Sequence, residues 1–237
     1  MRLRLRRPRQ RSPEATLSRQ NPSKNVAATE FEVDNWAISE FVRLKLVPLV
    51  GTHPFPLNEL MLLTAAVCRF QPPQVFDWGT HIGKSARIFY ECATHYGIDT
   101  EIHSTDLPDA ADHPEHPRAQ RGIMVAGLSG VSLHQGDGVN VSLDIWRSRD
   151  RKPTPLFLLD GDHAYESVLL ELESILSEVP DAVVLVHDSF YQSPAAGYNV
   201  GPHQAIETAL AHRPGTYRVL QSGLGLPGLS MLYPDRR

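Results

Sequence analysis

The chain has 237 residues, of which 41% are hydrophobic and 21% charged, the composition of an ordinary globular protein with one domain and room for appendages. The formal net charge of −4 conceals a division: Arg2, Arg4, Arg6, Arg7, Arg9 and Arg11 form a basic tip without an acid, and the remainder sets 17 basic residues against 27 acidic ones. An acidic body excludes nucleic acid as the main partner, because phosphate binding needs clustered cations. No apolar run approaches the roughly 18 residues of a membrane-spanning helix, so no membrane partner is expected.

Residues 1–28 are polar and without periodicity, and they are expected to form a disordered basic tail. Pro8 and Pro13 would interrupt any amphipathic presequence helix there, and no secretory apolar segment occurs, so a cytoplasmic location is expected. Residues 29–72 predict helices packing on the core. One runs from Asp34 to about Leu46 on Trp36, Ile38, Phe41, Val42 and Leu46. A second runs to Phe70, with Asn58 as its N-cap and Leu60, Leu63, Ala66 and Val67 facing inward. Cys68 and Cys92 form no CxxC and read as buried small hydrophobes rather than a disulfide or zinc site.

From residue 73 to 237 short β-rich runs alternate with helical patterns. Strands are predicted at 74–78, 101–105, 131–135, 156–160 and 182–186, and helices at 85–96, 118–128, 163–179 and 203–212. Residues 107–117 are a Pro- and His-rich loop, in which His113 and His116 read as exposed. The runs 217–221 and 229–233 flank Ser222-Gly-Leu-Gly-Leu-Pro-Gly228 and predict a terminal hairpin. The fold class that follows is α/β: a doubly wound, Rossmann-like, mostly parallel sheet of about seven strands, closed by an antiparallel hairpin.

The turn Asp77-Trp-Gly79-Thr80-His-Ile-Gly83-Lys-Ser85 joins the first strand to its helix. Glycine there lets backbone approach a ligand, and the helix start offers free N–H groups. The dinucleotide fingerprint fails, since only Gly79 and Gly83 are present. A P-loop fails too: Gly83-Lys84-Ser85 resembles its ending, but its first glycine would fall on Trp78. The pattern D-x-G-x-x-x-G-x-S resembles motif I of class I S-adenosylmethionine (SAM) methyltransferases. That resemblance assigns Asp77, Gly79, Thr80, Gly83 and Ser85 to the cofactor. It also implies that Asp106, ending the second strand, takes the ribose hydroxyls, and that Asp137 takes the adenine amino group. Read alone, each aspartate also suits a loop or helix cap.

The run Leu156–Leu159 stops at Asp160-Gly-Asp162-His163-Ala-Tyr165, and Ala182–Val186 stops at His187-Asp188. Two neighbouring strand ends would aim acidic and imidazole groups at one crevice, the ligand edge of open α/β sheets. Over roughly residues 55–233 this block resembles bacterial sugar O-methyltransferases of the macrocin and novobiocin type, together with cephalosporin-hydroxylase-like proteins. The resemblance implies a divalent metal, magnesium by analogy, on Asp160 and Asp188. His187 joins the metal set as a ligand or instead hydrogen-bonds Asp188. Asp162 or His163 would take the proton. Tyr191, Tyr198 and His203, with Asn199, are the expected acceptor contacts.

The expected reaction is therefore metal-assisted O-methylation of a small polar acceptor, a sugar or natural product, with a homo-oligomer left open. A hydroxylase-like relative, or a binding module that kept the pocket without the chemistry, is the alternative.

Overall fold

A computed structural model describes residues 17–25, 28–108, 110–111, 118–150 and 154–235. His113, His116 and the Arg-rich tip lie outside the described residues. Part of the stretch expected to be a disordered tail lies against the body. The Ser18 carbonyl is 2.9 Å from His95 Nε2, and Ser23 is buried.

Seven strands form one sheet: β1 (Gln74–Trp78), β2 (Glu101–Asp106), β3 (Val131–Gln135), β4 (Leu156–Leu159), β5 (Val183–His187), β6 (Tyr217–Gln221) and β7 (Leu229–Pro234). Their order is β3-β2-β1-β4-β5-β7-β6, with β1 to β5 parallel and β7 antiparallel to both β5 and β6. This is the doubly wound sheet with a closing hairpin that the alternation of elements implies.

Side chains along each strand divide between two cores, as the period of two demands. Val75, Leu156, Leu158, Val183 and Leu185 face one layer with α3 (Leu57–Phe70) and α4 (Lys84–Tyr96). Phe76, Phe157, Leu159, Val184 and Val186 face the other, with α5 (Gly138–Arg147), α6 (Tyr165–Glu178) and α7 (Gly201–Ala211). Burial on both faces explains why β4 and β5 read as unbroken apolar runs rather than alternating ones. Cys68 and Cys92 lie in the first core with their sulfurs 3.9 Å apart and unbonded. Among the described residues no helix is long and apolar enough to cross a membrane.

The structure differs from expectation at four places. The first predicted helix is α1 (Asn35–Phe41), then a π-helical turn over Val42–Leu46, then α2 (Val47–Val50). Pro48 has no N–H to give the carbonyl four residues back, and the Val47 N–H bonds Val42 instead. Asn58 does not cap α3, which begins after Pro56; its amide donates to the Ser222 carbonyl. Residues 118–128 form only a short 3₁₀ segment and turns, because Gly122 and Gly127 adopt positive φ. The helix α5 went unpredicted. Asp137 starts it by accepting the Asn140 N–H at 2.8 Å, and Leu143 and Trp146 bury its inner face.

Candidate active site

Strands β1 and β4 are neighbours, with β2 and β3 on one side and β5, β7 and β6 on the other. Chain direction of travel across the sheet reverses between them, and such a switch point leaves a crevice at the carboxyl ends of the strands. The turn after β1 lines it. Gly79 has φ +89°, and a Cβ on it would lie 2.2 Å from the Asp160 carbonyl oxygen, so the glycine turn and the acidic end of β4 are in backbone contact. Asp77 is fully buried. It accepts from the Ser104 hydroxyl at 2.7 Å, and its Oδ1 has no protein partner. Burial pushes its pKa up to about 7, against the pull of the Ser104 and Ser85 hydroxyls.

Across the turn, Asp106 accepts from the His81 N–H at 2.8 Å and the Leu107 N–H at 2.7 Å, with Arg121 Nε at 3.4 Å. Its carboxylate therefore clamps the turn to β2 as well as facing the crevice mouth. Thr80 joins the same network, 2.7 Å from Ser104 Oγ.

The other wall is the end of β4 and β5. His187 is 3% exposed, and both ring nitrogens meet carboxylates: Nδ1 is 2.8 Å from Asp160 and Nε2 is 3.1 Å from Glu59. Burial disfavours its charge, but Asp160, Glu59 and Asp188 outweigh that and raise its pKa to about 10. Asp188 has φ +53°, a left-handed turn that an aspartate tolerates and that folds its carboxylate back beside His187 at 3.7 Å. Tyr198 donates to Asp188 Oδ1 at 2.7 Å, and His163 Nε2 lies 3.3 Å from Oδ2. Ligand atoms of Asp160, His187 and Asp188 all fall within 4.8 Å of one another. That spacing suits one cation.

A family profile described as a methyltransferase domain matches residues 76–189, from β1 through β5, the stretch that carries both walls of this crevice. That stretch, just under half of the chain, is similar to the family. A rhamnosyl O-methyltransferase of Mycobacterium leprae (strain TN) is 25% identical over 151 residues, 62% of this chain. The match also spans only 62% of that relative's own length. Solved structures share the fold of most of the chain. The O-methyltransferase TomG of Streptomyces achromogenes, involved in tomaymycin synthesis and solved with SAM, aligns with TM-score 0.51 and 18% identity, covering 89% of this chain and 93% of its own. The O-methyltransferase of Bacillus cereus, solved with S-adenosylhomocysteine (SAH), aligns with TM-score 0.52 and 16% identity over 83% of this chain and 90% of its own.

Within and around residues 76–189, the expected residues separate by what holds them. Asp77, Gly79, Thr80, Gly83, Asp106 and Asp137 belong to the ends of β1, β2 and β3 or the turns that follow them, and Ser85 to the first turn of α4. Asp160, His163, His187 and Asp188 converge, with Tyr198 from beyond the matched stretch. Asp162 stands apart. Its Oδ1 accepts from the Ala164 N–H at 3.0 Å and its Oδ2 from the Ser167 hydroxyl at 2.5 Å, which holds its carboxyl below the usual range. It closes the turn that leads into α6, whose N-cap is Ala164. Tyr191 and His203 form a ring pair 4.9 Å apart at the rim.

Sequence reasoning missed Glu59. This α3 residue is fully buried, and it reaches both His187 and the Gly228 N–H at 2.8 Å. An acid among the apolar residues of α3 was its only local sign.

Proposed function

We propose that the chain transfers a methyl group from SAM to a hydroxyl of a small polar acceptor, a sugar or natural-product group. The observation that carries this reading is the contact of Gly79 with the backbone of Asp160, which sets a motif-I-type turn against an acidic, imidazole-bearing strand end. The names of relatives support the acceptor class: one acts on a rhamnosyl group and another serves tomaymycin synthesis.

The turn suits SAM. Asp77 Oδ1 and Thr105 Oγ1 are buried without a protein partner at the crevice edge, and buried polar atoms of that kind call for a ligand or water. Asp77, Gly79, Thr80, Gly83 and Ser85 would hold the methionine end, Asp106 the ribose and Asp137 the adenine. SAM when bound supplies the electrophilic methyl.

The donor set of Asp160, His187 and Asp188 suits a divalent cation, and a cation held there lowers the pKa of an acceptor hydroxyl. His163 is the residue placed to accept the hydroxyl proton. Its ring is a third exposed, Asp188 lies 3.3 Å from its Nε2, and Asn199 fixes its carbonyl at 2.6 Å. Asp162, with its oxygens engaged by the Ala164 N–H and the Ser167 hydroxyl, is the weaker base. Tyr191 and His203 would bound the acceptor. The remaining acceleration comes from holding acceptor and sulfonium in line.

The test is transfer of an isotopically labelled methyl from SAM to a panel of rhamnosides and other hydroxylated acceptors. The reading expects label on oxygen, one per SAM consumed. Oxygen and reductant consumption without label would establish the hydroxylase-like alternative instead.

A further inference from the structure

The acidic wall contains a carboxylate that the proposed reaction does not use. Glu59 lies on α3 and is fully buried, yet no lysine or arginine approaches it among the described contacts. Its two oxygens have separate tasks: Oε1 accepts the Gly228 N–H at 2.8 Å and Oε2 meets His187 Nε2 at 3.1 Å. Phe55 covers the same imidazole, its ring centroid 4.7 Å away and tilted by 55°. Gly228 is itself pinned, since a Cβ on it would lie 2.6 Å from the backbone N and the Cβ of Phe190. The ring of His187 is thus held from behind by a helix and a hairpin loop, with Nδ1 directed at Asp160 and Asp188.

We infer that Glu59 is a positioning residue, which keeps a proton on His187 Nε2 so that Nδ1, once a cation displaces its proton, joins Asp160 and Asp188 as a mixed nitrogen and oxygen site for a first-row transition cation. The inference rests on the proposed cation site and deepens it. Imidazole ligands commonly donate their second N–H to a carboxylate, which sets the tautomer, orients the ring and makes the ligating nitrogen more basic. Glu59 stands where that carboxylate belongs. Mg²⁺ prefers oxygen donors throughout, whereas a nitrogen donor favours Co²⁺, Ni²⁺ or Zn²⁺. The Nδ1 facing Asp160 at 2.8 Å is the atom a cation would occupy in place of a proton.

Glutamine cannot reproduce the arrangement. It has one acceptor oxygen for two donors, and its NH₂ turned toward His187 favours the opposite tautomer, with the proton on Nδ1. Glu59→Gln therefore removes the ligating lone pair while keeping the shape.

The experiment uses the full chain labelled with ¹⁵N-histidine, His187 being assigned by its loss in His187→Asn. Zn²⁺ is added to the wild type, with Co²⁺ absorption as a second readout of nitrogen ligation. The expected result is a shift of the His187 Nδ1 resonance on Zn²⁺ binding with Nε2 still protonated, and tighter binding of Zn²⁺ and Co²⁺ than of Mg²⁺. Glu59→Gln should weaken Zn²⁺ about 10- to 100-fold while SAH binding, measured by calorimetry, is unchanged. Zn²⁺ binding that leaves Nδ1 unmoved, no binding of any cation, or a Glu59→Gln variant as tight as wild type would overturn the inference. If that variant fails to fold, the wild-type spectra alone decide. A chain that binds SAH but no cation overturns the role of Glu59 and leaves methyl transfer standing. One that takes Zn²⁺ through Nδ1 but binds neither SAM nor SAH does the reverse.

Discussion

The wall of the crevice proposed for the cofactor is tied together by residues close in sequence, whereas the acidic wall adds ties between residues far apart to its local ones. Ser104 reaches Asp77 across 27 positions and Asp106 reaches the His81 N–H across 25, each spanning one strand–helix–strand unit. Glu59 reaches His187 across 128 positions and Gly228 across 169. A wall made within one βαβ unit is specified by local pattern. A wall made across the whole sheet depends on the closing hairpin and the helix α3 arriving correctly. The comparison predicts that damage to the first wall is felt in binding, and damage to the second in chemistry.

Gly79→Ala tests the seam between the walls and should have the largest effect. The new Cβ meets the Asp160 carbonyl oxygen at 2.2 Å, at a φ of +89° that alanine resists. Strain and overlap together should cost roughly 4 kcal/mol, read as a drop in the urea midpoint, with loss of SAH binding in any folded fraction. A variant of wild-type stability would show that the two walls do not touch as described.

His163→Ala should lower kcat about 100-fold or more while leaving SAH affinity unchanged. Equal losses in kcat and in SAH affinity would place His163 in the cofactor wall instead.

Asp77 makes the cofactor wall sensitive to pH. Its pKa is raised from 3.8 to about 7 in the folded chain, chiefly by burial. The stability it contributes is complete below pH 3.8 and is lost as pH rises through 7. Between about pH 5 and 8 the loss should be about 2–3 kcal/mol. Glu171, raised to about 8 by burial and the nearby Asp162 and Asp137 carboxylates, acts in the same direction. Chemical denaturation at the two pH values checks this, and Asp77→Asn should flatten the dependence. An unchanged slope in that variant would assign the effect elsewhere.

The smallest effect belongs to Asp162→Ala, about 1 kcal/mol of stability from the hydrogen bonds lost in the turn before α6, with kcat kept within a few-fold. A kcat loss matching that of His163→Ala would restore Asp162 as the base.

The alternation of strands and helices and the glycine turn were legible because periodicity and turn chemistry are local. Asp137 shows the limit of that reading. It was recognisable as either a ligand or a cap, and the structure displays the capping bond, but Val139 and Val141 hid the helix it starts. Residues 118–128 failed in the opposite way, where an apolar run concealed two glycines with positive φ. Glu59 was beyond local reading altogether. An acid in an apolar helix has no stated partner until the sheet brings His187 and Gly228 to it. Tyr198 falls between these cases: it was marked as an acceptor contact, and its hydroxyl holds Asp188.

The central claim is that the turn at Gly79 and the acidic ends of β4 and β5 make one methyl-transfer pocket. Isothermal calorimetry of SAM and SAH with the full chain tests it most directly. The account predicts one-to-one binding of both, weakened by Asp106→Ala and Asp137→Ala and retained in His163→Ala. A folded wild-type chain that gives no heat with either ligand would contradict it.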